Sequence, residues 1–248
     1  DMRAAKIKAN AFGVGLVIFL LLSAIVLRQY QLTRKEKERS DQLLLNILPE
    51  DTALELKNTG KTTAHQYTNV TVLFCDIVGF TLVAEKLSPQ ELVKEIDTYF
   101  RAFDDVITKY GMEKIKTVGD AYVAVGGMPL KNQATAVDVV HAAIELLQKV
   151  HVLGLERRAE NKPAFALRVG LNTGSVVAGV VGSKKFQYDI WGDAVNIAAR
   201  MEETSEPGRI NISQSTYNLV KDRFTCTSRG DLVAKNKGLL AMYFVDFD

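Results

Sequence analysis

Cysteine and histidine are scarce in this 248-residue chain, and their scarcity removes several classes of function at the outset. Cys75 lies in an interior-looking apolar run and Cys226 in a late segment, so neither a disulfide framework nor a zinc site is indicated, and a reducing compartment fits. His65, His141 and His151 lack ligand spacing, the last two falling in one helical stretch. A strong charge of either sign is missing too. With 31 Lys and Arg against 29 Asp and Glu, the formal net charge is +2, too mild to imply a nucleic-acid partner, and no cluster interleaves aromatic with basic residues. The length allows one domain with its own hydrophobic core, plus an appendage that need not share it.

Against this water-soluble composition stands one long apolar run, AFGVGLVIFLLLSAIVL at residues 11–27, without a charged residue. It is just long enough to cross a bilayer core as a helix, and we expect a transmembrane span there. A signal peptide and a buried core helix are the rivals. The run is long for the first, and the basic segment abutting Leu27 leaves no convincing small-residue cleavage site. Arg28, Arg34, Lys35, Lys37 and Arg39 outnumber Arg3, Lys6 and Lys8 on the other flank, which puts the C-terminal side in the cytosol. Residues 1–10 are then expected to be the extracytoplasmic end of a larger receptor with a sensor region ahead of it.

Residues 28–48 contain strong helix formers, alternating charges and no breaker before Pro49, so a helix is expected to continue out of the membrane. Its coiled-coil register is poor. Stepping by four and three from Leu32 meets Glu36, Arg39, Leu43 and Asn46, so only residues 43–48 offer an apolar seam. That end is expected to contact a second copy, and 28–66 as a whole to form a juxtamembrane helix and transducing linker.

Short apolar strands then alternate with amphipathic helices. Residues 70–75 form a nearly continuous apolar run, as in a strand buried on both faces, and Asp76 ends it. Ser88, Pro89 and Glu91 make a capping box with proline at the first helical position, followed by Leu92, Ile96, Phe100, Phe103 and Ile107 at helical spacing and closed by Gly111. Strands are expected at 112–118 and 121–125, joined through Gly119 and Asp120 as a tight hairpin. A helix at roughly 133–153 and a strand at 165–171 follow. This order predicts an α+β fold, a ferredoxin-like βαββαβ sheet with helices on one face, over residues 67–248.

Two aspartates carry the first chemical expectation. Asp76 follows a buried strand and precedes Ile77, Val78, Gly79, Phe80 and Thr81, where the glycine allows a sharp turn that presents amides to phosphate. Asp120 sits on a hairpin expected beside that strand, so the two carboxylates can converge. Such a pair suits magnesium or manganese, hard cations that leave positions open for phosphate. Each aspartate could equally cap a turn, the commoner use of a lone aspartate.

Four strings extend this reading: FCDIVGFT at 74–81, KIKTVGDAYVA at 114–124, RVGLNTGSVVAGVVG at 168–182 and FQYDIWGDAVNIAARME at 186–202. In this order they resemble the class III nucleotidyl cyclases, over a stretch from about Leu44 to the C-terminus. The resemblance implies that Asp76 and Asp120, with the main chain of Ile77, bind two divalent cations per site, Mg2+ or Mn2+. It implies phosphate contacts at Phe80 and Thr81. Lys116 and Asp189 match the family's base-reading pair: a lysine donates to an adenine ring nitrogen while a carboxylate accepts from the exocyclic amine, and guanine presents the opposite groups. In guanylyl cyclases those positions resemble a glutamate and a cysteine, so ATP is the expected substrate. Asn196 and Arg200, four apart on one helix face, match the residues that orient the ribose and stabilise the transition state. Lys237 resembles the lysine that grips the terminal phosphates, with Lys235 close by and Asn236 where the family often has glycine. Lys184 stands where many members carry a phosphate-contacting arginine; lysine keeps the charge and loses the bidentate fork.

The resemblance further implies a head-to-tail homodimer in which the metal aspartates of one protomer face the base-reading and transition-state residues of the other. The expectation is therefore an adenylyl cyclase of the inner cell membrane with its catalytic domain in the cytoplasm. The rivals are a guanylyl cyclase and a catalytically silent dimerisation module. A diguanylate cyclase lacks support, since no GG-[DE]-EF turn occurs at the hairpin.

Overall fold

The computed structural model describes residues 2–128, 134–182 and 186–247, without the side chains of 4–12, 14, 17 and 18. It divides into two compact units, Asp1–Thr62 and Thr63–Asp248. In the first, helix α1 (Met2–Leu45) runs unbroken from the apolar segment through the charged one. Helix α2 (Glu50–Thr59) follows Pro49 and ends at Gly60, whose φ of 72° lets its N–H reach the Leu56 carbonyl. Lys57 on α2 pairs with Asp41 on α1 at 2.6 Å. The expected span at 11–27 falls partly on side chains outside the described ones. Among the described residues no helix is long and apolar enough to cross a membrane; those described within the run, Leu16 and residues 19–27 among them, are mostly exposed.

The second unit is built on an eight-stranded sheet: β1 (His65–Val78), β2 (Glu113–Val118), β3 (Ala121–Gly126), β4 (Ala166–Val181), β5 (Gln187–Trp191), β6 (Ile210–Ser213), β7 (Cys226–Ala234) and β8 (Gly238–Val245). The strand order is β2-β3-β1-β4-β6-β8-β7, with β5 added to the far half of β4. Among the described residues only β4 and β6 pair in parallel. The first four strands thus have the order and connections expected of the βαββαβ core, and the remainder extend it beyond β4.

Leu73, Cys75 and Ile77 of β1 and Leu167, Val169 and Leu171 of β4 turn one face of the sheet into the main core. Helices α4 (Pro89–Lys109) and α5 (Ala136–Ala159) cover that face. In α4 the expected capping box is formed: the Glu91 N–H donates to the Ser88 hydroxyl, and the Ser88 N–H donates to the Glu91 carboxylate at 2.9 Å. Helix α5 carries a second box, Thr135 with Asp138, and runs six residues past the expected end. The expected start at 133 lies outside the described residues.

Two expectations are corrected. The strand expected at 165–171 extends for 16 residues, because the Gly, Asn and Thr at 170–174, which resemble turn residues, lie in ladder with β1. Nor do the helices share one face. Helix α6 (Asp193–Glu203) packs on the opposite side, where Gly170 leaves room for its main chain at Met201 and Glu202. Short helices α3 (Phe80–Ala84) and α7 (Gln214–Val220) complete the unit.

Candidate active site

Strand alternation decides where Asp76 points. Since Cys75 and Ile77 face the core, Asp76 emerges on the α6 side, directly opposite Arg168 of β4. Arg168 Nη2 donates to Asp76 Oδ2 at 2.8 Å while its Nε donates to Glu202 Oε1 on α6. Burial is the main cause that pushes the Glu202 carboxyl up to about 7, with the Asp76 charge adding and the Arg168 guanidinium opposing.

Asp120 lies in the β2–β3 turn beside Gly119, whose φ of 64° closes the hairpin. Its carboxyl is raised above the ordinary range by burial and by Asp76, so the two aspartates do converge. The β1–β3 ladder ends at Cys75 opposite Tyr122, which leaves the β1 edge at Ile77 running past the end of β3. Ile77 is 2% exposed, its side chain spent in the core, so it offers only its main-chain oxygen. Among the described residues no group of three or more His, Cys, Asp or Glu could hold a metal ion. Two converging carboxylates, plus a main-chain oxygen, nonetheless fit a hard divalent cation that takes its other ligands from water or phosphate.

Phe80 and Thr81 open α3 after Gly79, at φ 70°. The Phe80 ring packs against Phe165 with centroids 6.4 Å apart, so any phosphate contact it makes is through its amide; Thr81 is exposed.

Lys116 pairs in register with Val123, which pairs with Phe74, placing it on the same face as Asp76. Its Nζ donates to Asp189 Oδ2 at 2.6 Å, while the other Asp189 oxygen accepts the Ile190 N–H at 2.8 Å. The two residues expected to read a base are therefore already neighbours, and the aspartate is fixed by main chain. No hydrogen bond or ion pair among the described residues joins this pair to Asp76 and Asp120.

Helix α6 carries Asn196, exposed, and Arg200, half-buried, whose guanidinium contacts Glu203. Asn172 fixes the start of this helix, donating from Nδ2 to the Ala194 carbonyl at 2.9 Å. Lys237 sits in the β7–β8 turn, where Asn236 adopts φ 63°, and its ammonium contacts Asp193, the first residue of α6. Lys235 is exposed and makes no such contact among the described residues. Lys184 lies outside the described residues.

Sequence reading missed Arg168, Glu202 and Asp193, although all three lie inside the quoted strings. Only the β1–β4 register, which sets position 168 opposite position 76, reveals the first, and only the packing of α6 over Gly170 the second.

A sheet whose α6 side gathers two converging carboxylates and a donor–acceptor pair suited to a base edge defines a nucleotide-processing domain. The family model for the adenylate and guanylate cyclase catalytic domain matches residues 62–246, and the chain belongs to that family. It is 37% identical to an adenylate cyclase of Mycobacterium tuberculosis over 237 residues, 95% of this chain and 53% of that protein. It is 36% identical to guanylate cyclase 32E of Drosophila melanogaster, across 97% of this chain and 21% of that protein. The chain thus spans about half the length, or less, of the curated relatives it matches. Among solved structures, the adenylyl cyclase CyaB from P. aeruginosa aligns with TM-score 0.70 at 32% identity, covering 75% of this chain and 97% of that one. The catalytic core of a rhodopsin-guanylyl cyclase with converted specificity, in complex with ATPαS, aligns with TM-score 0.69 at 33% identity, covering 75% and 100%.

Proposed function

We propose that this chain is the catalytic portion of a membrane-anchored adenylyl cyclase that converts ATP to 3′,5′-cyclic AMP and pyrophosphate. The observation that carries the choice of base is the Lys116–Asp189 pair at 2.6 Å. Relatives of both specificities are close, so the nucleotide must be argued from these two side chains. Lys116 has protons left to donate to adenine N1, and Asp189 can only accept, as the exocyclic amine requires. With guanine, an acceptor would face Asp189 and a donor would face Lys116. Two such mismatches at about 1–3 kcal/mol each favour ATP by about 30-fold to 10⁴-fold.

Asp76, Asp120 and the Ile77 main-chain oxygen would hold two divalent cations, Mg2+ or Mn2+, which when bound supply a lower pKa at the ribose hydroxyl and positive charge at the triphosphate. The 3′-oxygen forms a bond to the α-phosphorus as the bond to the bridging oxygen breaks, and pyrophosphate departs with that oxygen. Asn196 orients the ribose, and Arg200 donates to the phosphoryl oxygens where charge develops. Lys237, Lys184 and the amides of Phe80 and Thr81 hold the leaving phosphates. No side chain is assigned as general base, and the hydroxyl proton passes to water.

The site is completed in a head-to-tail homodimer, where one protomer supplies Asp76 and Asp120 and its partner supplies Lys116, Asp189, Asn196 and Arg200. Residues 11–27 anchor the chain in the cell membrane, with the catalytic unit in the cytoplasm. Segment 28–66 transmits the state of a preceding sensor region by rotating or spacing the two protomers. Product analysis of the purified dimer with ATP or GTP, in Mg2+ or Mn2+, tests base choice and metal dependence together. Equal turnover of GTP would sink the adenylyl assignment.

A further inference from the structure

Lys237 reaches across the surface of the catalytic unit to a residue with no assigned task. Its ammonium contacts Asp193 Oδ1. The two side chains are 26% and 66% exposed, so neither is compelled into this contact by burial. The base of the β7–β8 turn is packed and hydrogen-bonded. Ala234 packs with Met201 of α6 and Met242 of β8 in a small buried cluster, and the Lys237 N–H donates to the Ala234 carbonyl at 2.9 Å. Lys237 therefore springs from a turn seated on the same helix that its side chain touches.

Asp193, Asn196 and Arg200 stand at i, i+3 and i+7 of α6, one stripe along the helix. The stripe is about 10 Å long at 1.5 Å rise per residue. An acidic residue in the first turn is favoured by the helix dipole, so Asp193 is stable where it stands and available as an anchor. An ammonium has three protons, and Asp193 uses one of them.

We propose that Asp193 is a positioning residue for nucleotide binding: it holds the Lys237 ammonium at the head of the row formed by Asn196 and Arg200, and so selects Lys237 over Lys235 as the cation presented to the terminal phosphates. The inference rests on the reading of Lys237 as a phosphate contact. Asp193 itself touches no substrate; it acts by keeping a long, flexible side chain in the conformation that binding needs, which should show in KM for ATP more than in kcat.

The test is steady-state cyclase kinetics on the full chain at saturating metal. Asp193→Ala should raise KM for ATP about two- to fivefold, the scale of an exposed ion pair, with kcat within twofold. Asp193→Glu should restore KM. Lys237→Ala should raise KM at least as much, and Asp193→Ala added to it should change nothing further, because the two residues act as one unit. Lys235→Ala should leave KM alone. A rise in Lys237→Ala without one in Asp193→Ala, or additive effects in the double variant, would overturn the positioning role while leaving the phosphate reading intact. No effect of Lys237→Ala would overturn both, and a lower KM in Asp193→Ala would make the contact a competitor of substrate instead.

Discussion

Gly170 is the position where fold and chemistry can be separated by a single methyl group. It lies on β4 beneath α6, and a Cβ there would meet the main-chain nitrogen and Cα of Glu202 and the carbonyl carbon of Met201. Main chain cannot step aside by changing rotamer, so in Gly170→Ala the helix must lift by roughly 1 Å to reach ordinary carbon contacts. Overpacking of this kind costs about 1–3 kcal/mol. Against it, alanine gains about 0.4–1 kcal/mol by restricting the unfolded chain. With main chain this close the overpacking cost lies at the upper end of its range, so the net is a loss of about 2–2.6 kcal/mol, a fall in Tm of about 4–10 °C for a unit of this size. The larger effect is on rate. On the proposed reading Asn196 and Arg200 are the substrate contacts carried by α6, and a displacement of about 1 Å at such a contact should lower kcat about 10²-fold. Gly154→Ala provides the contrast. It is a mid-helix glycine in α5 whose added Cβ would meet the Ala164 methyl at 3.6 Å and the Phe165 carbonyl oxygen at 4.0 Å, both ordinary contacts, so it should gain about 0.5–1 kcal/mol and keep full activity. Thermal melts and cyclic AMP formation on both variants decide the matter. If Gly170→Ala keeps its Tm and a kcat within about threefold, the placement of α6 against β4 does not govern the chemistry as argued.

Other perturbations address the separate parts of the site. Mixing Asp76→Ala protein with Asn196→Ala protein should restore about a quarter of wild-type activity, since random exchange makes half the dimers mixed and each mixed dimer keeps one intact site of two; verified mixed dimers without activity would refute the shared site. Lys116→Glu combined with Asp189→Cys should lower turnover of ATP about 10²-fold or more and raise that of GTP, read by product chromatography. Burial pushes the Glu113 carboxyl up to about 6 from an ordinary 4.5. Between those values the native chain holds a proton that the unfolded chain has released, so stability should fall as pH rises through the window, by up to about 2 kcal/mol above pH 6. In Glu113→Gln that slope should vanish, and urea midpoints that differ from wild type by a constant across pH 4.5–7.5 would contradict the burial argument.

The parts of the fold that were legible in the sequence are those encoded locally. Ser88, Pro89 and Glu91 announce α4 because a capping box is a pattern of three neighbouring residues, and Gly119 with Asp120 announces the hairpin for the same reason. Strand β4 was legible only in its first third, since Gly170, Asn172 and Gly174 carry turn chemistry and are extended because β1 pairs with them along one side. The site divides in the same way. Asp76 and Asp120 were readable as a possible pair from the elements that carry them, and the other members only through resemblance. Arg168 was unreadable as the partner of Asp76 because a register between strands 92 residues apart is a property of the folded sheet. The opposite-face placement of α6 likewise depends on the absence of a side chain at Gly170, which in sequence resembles any other glycine.

The pairings of this chain bear on how tightly a nucleotide can bind. Asp76 is held by Arg168, Lys116 by Asp189 and Arg200 by Glu203. On the proposed reading each of these charges meets substrate or cation by exchanging or sharing a partner, so the gain on binding is the difference between two pairings, not the whole of the new one. Affinity is thereby limited. Discrimination is not, because a wrong base leaves Lys116 and Asp189 facing like groups after their mutual contact has been disturbed, and that cost falls on the competitor alone. On the same proposed reading a single protomer should be inactive: its charged groups are satisfied within the protomer, and only a nucleotide bridging two protomers would offer Asp76 and Lys116 better partners at the same time.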